Sequence, residues 1–287
     1  MLFAAALPRA GRAPEGGSRR RYDDRVEQHG AAHVTRISIA PVKGLAVHAV
    51  DAVQLGENGV AENRRMHLVD LTGRMLNGKA SMRLSLVQSR LDSDAGTLTL
   101  EFPGGDVVAG RIALGEPVET VFFGRPAPGR VVLGPWSEAL AAWCGIDLRL
   151  IMSDEVGAAS DRGPDAGVSI ISQASIADLA RTGGVDALDG RRFRMLFEIG
   201  GVQPYAEDAW IGRDIRIGEA VVRPHGNVGR CVVTTCDPAT GLRDFDTLGV
   251  LATYRRDIET TEPLPLGVVG DVVTTGGVRV GDAVTPL

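Results

Sequence analysis

With 287 residues, of which 44% are hydrophobic and 23% charged, the chain is long enough to build two ordinary domains around substantial cores. A formal net charge of −5 provides no global field for nucleic acid, and no run reaches the roughly 20 apolar residues that a transmembrane segment needs. Three cysteines, Cys144, Cys231 and Cys236, cannot all pair with one another, which argues against a disulfide scaffold and for a reducing, cytoplasmic setting.

Residues 1–33 mix Pro, Gly and a basic cluster without periodicity, and read as a disordered leader or a start codon placed too early. The apolar stretch at residues 2–7 is shorter than a signal-peptide core of about 7–15 residues. From Thr35 the pattern changes to short alternating strands: RISIAPVKG, HAVDAVQLG, MHLVD, LVQSRLD, DAGTLTLEF and VETVFFG. Gly, Asp and Pro separate them at regular intervals, the mark of a barrel or sandwich.

Two helices follow. Pro135 suits a first helical turn and Gly145 an exit, with Trp136, Leu140 and Trp143 on one apolar face. Ser172 is a good N-cap for QASIADLART, which ends at Gly183–Gly184. After residue 190 strands return, in FRMLFEIGG, DIRIGEAVVRPHG, RCVVTTC and VVTTGGVRVGDAVTPL, with a short helical region near YRR. The expected architecture is mainly β (α+β): two β-barrel-like domains, at 34–125 and 126–287, with a few helices.

The densest chemistry lies in HGNVGRCVVTTCDPATG, residues 225–241. DPATG is a turn with a closing Gly, so RCVVTTC is expected to be the first strand of a hairpin. Alternation then puts Cys231 and Cys236 on opposite faces, where they cannot share one ion. Arg230 precedes Cys231, and a neighbouring guanidinium favours the thiolate that attacks or ligates metal. Asp237 beside Cys236 works the other way. No CxxC or HExxH motif accompanies these residues, so a structural zinc site is not expected. Cys144 reads as a core thiol, and His48 and His67 as partly buried strand residues. His225 is either a loop residue or a contact in a site, and Glu207–Asp208 an acidic turn.

The Arg–Cys pair followed by TT, DP and TG resembles the cysteine motif of the MOSC-domain family. The resemblance runs over roughly residues 35–287, through PVKG, RMHLVDLTG, ISQASIADL, RRFRMLFEIGG, PYAEDAW and VRVGDAV, in that order. Within the family it is similar to the mitochondrial amidoxime-reducing components and their bacterial counterparts. That resemblance implies an N-terminal barrel module followed by a MOSC domain, with a molybdenum–molybdopterin cofactor in the cleft between them. It implies Cys231 as catalytic metal ligand, and Lys43, Arg65, Arg194 and Arg230 as cofactor-binding residues, which suits phosphate recognition by cations. It further implies reduction of a small N-hydroxylated substrate with electrons from a separate ferredoxin- or cytochrome-type redox protein. No iron–sulfur cysteine run, haem signature or flavin fingerprint occurs in the chain. Two alternatives stay open. One is a sulfur carrier with a Cys231 persulfide, which would need a partner desulfurase because no lysine-bearing pyridoxal-phosphate domain precedes the motif. The other is a cofactor-binding protein without turnover. The chain departs from the family pattern at Gly44, where Ser is common, at Leu196, where Asn is common, and at Asp165–Ala166, which replace a pair of small hydroxyl residues.

Overall fold

The computed structural model describes residues 30–76, 78–122, 125–156, 166–260 and 262–287. Most of the expected leader and Asp165 lie outside these residues. The fold is mainly β, with four sheets and, among the described residues, three α-helices. None of those helices is long and apolar enough to cross a membrane.

The largest sheet has eight strands. In spatial order they are Val284–Pro286, Ile215–Ile217, Ala220–Gly229, Pro265–Thr274, Val168–Ser172, Phe197–Gly200, His33–Ile39 and His48–Val50. Its inward side chains, including Val34, Ile37, Phe197, Ile199, Val222 and Val268, are fully or almost fully buried in one cluster. Alternation of apolar and polar residues creates that face, because successive strand side chains point to opposite sides. Helix α2 (Gln173–Thr182) and helix α3 (Thr247–Tyr254) pack nearby in a smaller cluster with Phe193, Met195 and Leu266. The Ser172 hydroxyl accepts from the amide of Ser175, so the cap expected for α2 is present.

The other body, the first in chain order, holds a five-stranded sheet, in the order Ala113–Phe122, Arg125–Leu133, Leu148–Ser153, Met66–Asp70 and Met75–Leu76. A three-stranded sheet, Gln88–Asp92, Thr97–Glu101 and Val107–Arg111, belongs with it. Helix α1 (Trp136–Cys144) inserts Trp136 and Leu140 into its core beside Leu68, Leu98 and Leu150. Gly145 ends this helix in the left-handed region at φ 73°, where a residue without Cβ is at ease.

These pairings divide the chain differently from the expected 34–125 and 126–287. A boundary at residue 125 would separate the two strands of one hairpin, since Val121 pairs with Pro126 and Val118 with Gly129. Helix α1 and the strand after it complete the first body, because Leu150 pairs with Leu68 in the same sheet. The shift from strands to helix in the sequence marked a change of element within one core rather than a change of domain. The two bodies are also laced together. His33–Ile39 pairs with Phe197–Gly200, and Ala52–Gly56 with Gly276–Arg279.

Candidate functional site

A cavity of about 520 Å³ opens where the two bodies meet. From the first come Lys43, Asn63, Arg64 and Lys79; from the second come the turns around Arg194 and Cys231. Among the described residues six cationic side chains line it (Lys43, Arg64, Lys79, Arg192, Arg194 and Arg230) against one carboxylate, that of Glu262. A chain of negative net charge therefore concentrates positive charge at one concave place, which is how a protein selects a small anion.

Cys231 does not begin a strand. It is half-buried and caps a 3₁₀ turn, Val232–Thr235. The cause is local: the Thr234 hydroxyl donates to the carbonyl of Cys231 at 2.9 Å and that of Thr235 to Val232 at 2.7 Å. Short hydroxyl side chains compete in this way with ladder hydrogen bonds, and two in succession close the chain on itself. The face alternation expected for Cys231 and Cys236 is thereby corrected. Cys231 lines the cavity, while Cys236 is buried behind the turn. The DPATG turn does form: the Asp237 carboxylate accepts from the amides of Ala239 and Thr240.

Two buried arginines brace the cysteine turn. Arg230 donates to the carbonyls of Phe193, at 3.1 Å, and Leu266, and touches the Met195 sulfur at 3.3 Å. Arg192 donates to the carbonyl of Thr234 at 3.1 Å and grips Asp244 through two bonds of 3.1 and 2.9 Å. Both guanidiniums thus fix main chain on either side of Cys231. Gly267 leaves room for Arg230: a Cβ there would sit 2.7 Å from the Ile170 carbonyl oxygen and 3.2 Å from the guanidinium itself.

Arg194 is different. It occupies the left-handed region at φ 56° and lines the cavity. Burial holds its guanidinium down at about 10, still cationic at neutral pH. Among the described residues its side chain has no hydrogen-bonding or ion-pairing partner, although most buried cations are matched by an acceptor. Arg64, also at φ 56°, reaches across to donate to the Arg194 carbonyl at 3.2 Å. Uncommon backbone conformations of this kind gather at ligand sites, where the surrounding structure enforces them.

Arg65 is not brought to the cavity. Its guanidinium donates to the carbonyls of Ser153 and Glu155, closing the end of the neighbouring strand. Its pKa is lowered by burial, with Asp154 acting in the opposite direction. Arg64, Lys79 and Arg192 line the cavity although the sequence reading did not single them out. The Arg–Arg pairs at 64–65 and 191–192 were the available signal.

The departures at Gly44 and Leu196 have local accounts. Gly44 adopts φ 93°, a conformation that disfavours Ser, and Leu196 is buried in the large-sheet core. Glu207 is wholly buried, its carboxylate accepting from the Ser172 amide and the Ser175 hydroxyl, while Asp208 pairs with Arg255 at 2.5 Å. His225 is exposed, 3.6 Å from Asp271, and is not part of the cavity wall. His67 is buried in its strand, with burial pushing its pKa down to about 4, and His48 is half-buried. Cys144 packs against the first core.

Residues 159–285 match the family described as MOSC domain, and residues 31–132 the MOSC N-terminal beta barrel domain. The chain is 28% identical over 290 residues to "Mitochondrial amidoxime reducing component 2" of Bos taurus, an alignment covering 91% of this chain and 84% of that protein. It is 28% identical over 284 residues to "Mitochondrial amidoxime-reducing component 1" of Danio rerio, covering 88% and 83%. Against "Molybdenum cofactor sulfurase" of Solanum lycopersicum the identity is 26% over 268 residues, which is 80% of this chain but 32% of that protein.

Proposed function

The chain belongs to the MOSC-domain proteins, and on that premise we propose that it holds a molybdenum–molybdopterin cofactor in the inter-body cavity and reduces small N-hydroxylated compounds. The observation that carries this reading is the Arg194 guanidinium, which meets no acceptor among the described residues and lines a cation-rich cavity that also presents a thiol. A terminal phosphate would satisfy it, with Lys43 and Arg64 as further donors. Cys231 would be the protein's ligand to the metal, on a turn that Arg192 and Arg230 hold rigid.

The donor set fits such a group. Among the described residues no three His, Cys, Asp or Glu side chains converge to hold a metal ion. A metal here would therefore bring most of its ligands with it, as a pterin dithiolene does. At about 520 Å³ the cavity is within the roughly 300–1,000 Å³ usual for cofactor sites. The bound cofactor would supply two-electron oxygen-atom chemistry, while the chain supplies ligand, orientation and anion binding. Reduction of an N–OH group consumes two electrons and two protons and releases water. With three cysteines and no haem or flavin motif in its sequence, the chain is expected to take electrons from a separate ferredoxin- or cytochrome-type protein.

The test is reconstitution. Protein from a host that makes molybdopterin should reduce an N-hydroxyamidine to the amidine with a reduced redox-protein donor, and not with NADH alone. Full molybdenum occupancy without turnover under any donor would leave a cofactor-binding protein instead. Transfer of sulfur to Cys231 by a desulfurase, seen as a persulfide by mass spectrometry, would favour the carrier reading.

A further inference from the structure

Glu262 stands apart in the wall of the cavity. Among the described residues it brings the only carboxylate there, beside six cations. Those cations suit an anion and repel a positive charge. The compound that the proposed reaction must hold is not an anion. An N-hydroxyamidine is neutral, with an N–H donor on the carbon that bears the N–OH group. Two electrons and two protons convert it to an amidine and water. Amidines are strong bases, so at neutral pH the product takes a further proton and becomes a planar cation with N–H donors on both nitrogens. A carboxylate matches such a fork, accepting two parallel N–H bonds, and the cations around it do not.

The chain ties this carboxylate to the segment that carries the thiol. Glu262 Oε2 accepts from the Gly229 amide at 2.7 Å. Gly229 precedes Cys231 by two residues, which span at most about 7 Å. The Thr260 hydroxyl donates to the Glu262 carbonyl at 2.5 Å, and the Arg230 amide to the Leu264 carbonyl at 3.3 Å, so the loop is pinned on both sides of the carboxylate. Leu264, left-handed at φ 51°, then leads into the strand Pro265–Thr274. Glycine at 229 permits the close approach. A Cβ there would sit 2.6 Å from the Glu262 Cβ and 2.8 Å from its carboxylate oxygen.

We propose that Glu262 is the substrate-binding carboxylate of the cavity: it accepts hydrogen bonds from the amino group beside N–OH, and it holds the amidinium that reduction leaves. This rests on the reductase reading. The six cations then serve anion binding, and Glu262 alone among the described wall residues recognises the basic end of substrate and product.

The probes are benzamidine, a planar cation, and benzamide, its neutral isostere. Each is titrated by saturation-transfer NMR into the full chain, purified from a host that makes molybdopterin. Wild type is expected to bind benzamidine about tenfold more tightly than benzamide, the margin of a charge-assisted over a neutral hydrogen bond. Glu262→Gln keeps an acceptor for the Gly229 amide, and should erase that preference while circular dichroism and molybdenum content stay as in wild type. Glu262→Asp keeps the charge and should retain part of the preference. Equal affinity of wild type for both probes would overturn the assignment, and so would a folded Glu262→Gln that keeps the preference or equal loss in the Asp and Gln variants. Loss of molybdenum in Glu262→Gln would also overturn it, by making Glu262 a counterion within the cofactor's own site. Turnover separates the two proposals. A metal-loaded wild type that reduces an N-hydroxyamidine without preferring benzamidine would remove the role of Glu262 and leave the reductase. A Glu262-dependent preference in a protein with neither molybdenum nor turnover would remove the reductase, and with it the ligand's identity as product.

Discussion

The guanidinium of Arg64 donates to the main-chain oxygen of Arg194 at 3.2 Å, across the junction of the two bodies. Both residues have φ of 56°, so each is held in a conformation that its own side chain disfavours. The bond positions a cavity cation whose side chain meets no acceptor among the described residues. Arg64→Ala should therefore weaken cofactor retention more than Arg65→Ala, whose guanidinium caps a strand end elsewhere. Molybdenum bound per chain after gel filtration distinguishes them, and equal loss in both variants would contradict this arrangement.

Arg194 and Arg230 should respond in opposite ways to the same change. Arg230→Met strips hydrogen bonds from the carbonyls of Phe193 and Leu266, and should lower unfolding free energy by roughly 2–4 kcal/mol, since each buried acceptor left unmatched costs about 1–3 kcal/mol. Arg194→Met removes a charge whose pKa burial lowers and which has no partner among the described residues, and should leave the cofactor-free protein as stable as wild type or more so. Urea unfolding of metal-free proteins reads both. A destabilised Arg194→Met would mean that its guanidinium holds the fold together.

Gly267 tests the packing behind the cysteine turn. It sits at φ 76°, and an added Cβ would meet the Ile170 carbonyl oxygen at 2.7 Å and the Met195 methyl at 2.9 Å. Gly267→Ala incurs about 1–2 kcal/mol for the left-handed backbone alone. The steric conflict adds to this, so a loss above about 2 kcal/mol is expected in the same urea titration.

Glu207 should make stability depend on pH. Burial raises its pKa above the ordinary carboxylate value, against the hydrogen bonds from Ser172 and Ser175, which lower it. In the unfolded chain the carboxyl ionises at the ordinary value, whereas in the folded chain it holds its proton to higher pH. Its contribution is thus fully present below the unfolded value and declines as pH rises through the folded one. Glu207→Gln keeps an acceptor for the helix cap and removes the titration. Stability of the variant should fall less than that of wild type as pH rises above the ordinary carboxylate range; identical slopes would show that Glu207 is ionised in the fold.

Much of the fold was legible because its signals are local. The Ser172 cap, the Gly145 exit and the Asp237 turn each depend on a few neighbouring residues, and each formed. The path of Cys231 was not legible, because alternation in RCVVTTC matches a strand while the Thr234 and Thr235 hydroxyls draw it into a 3₁₀ turn. Nor was the division of the chain, since the pairing of Leu150 with Leu68 spans 82 residues and leaves no mark in either segment. The choice between Arg64 and Arg65 failed for a related reason: a left-handed residue redirects the chain, and sequence alone does not show which of two adjacent arginines adopts it.

The central claim is that Cys231 ligates a molybdenum held in the inter-body cavity. Its most direct test is the molybdenum content of wild type and Cys231→Ser, both purified from a host that makes molybdopterin, together with the thiolate-to-metal absorption of each. Near-stoichiometric metal in wild type, with the absorption lost in the variant, is the predicted result. A folded wild type without molybdenum, or a variant whose metal content and absorption equal those of wild type, would contradict the account.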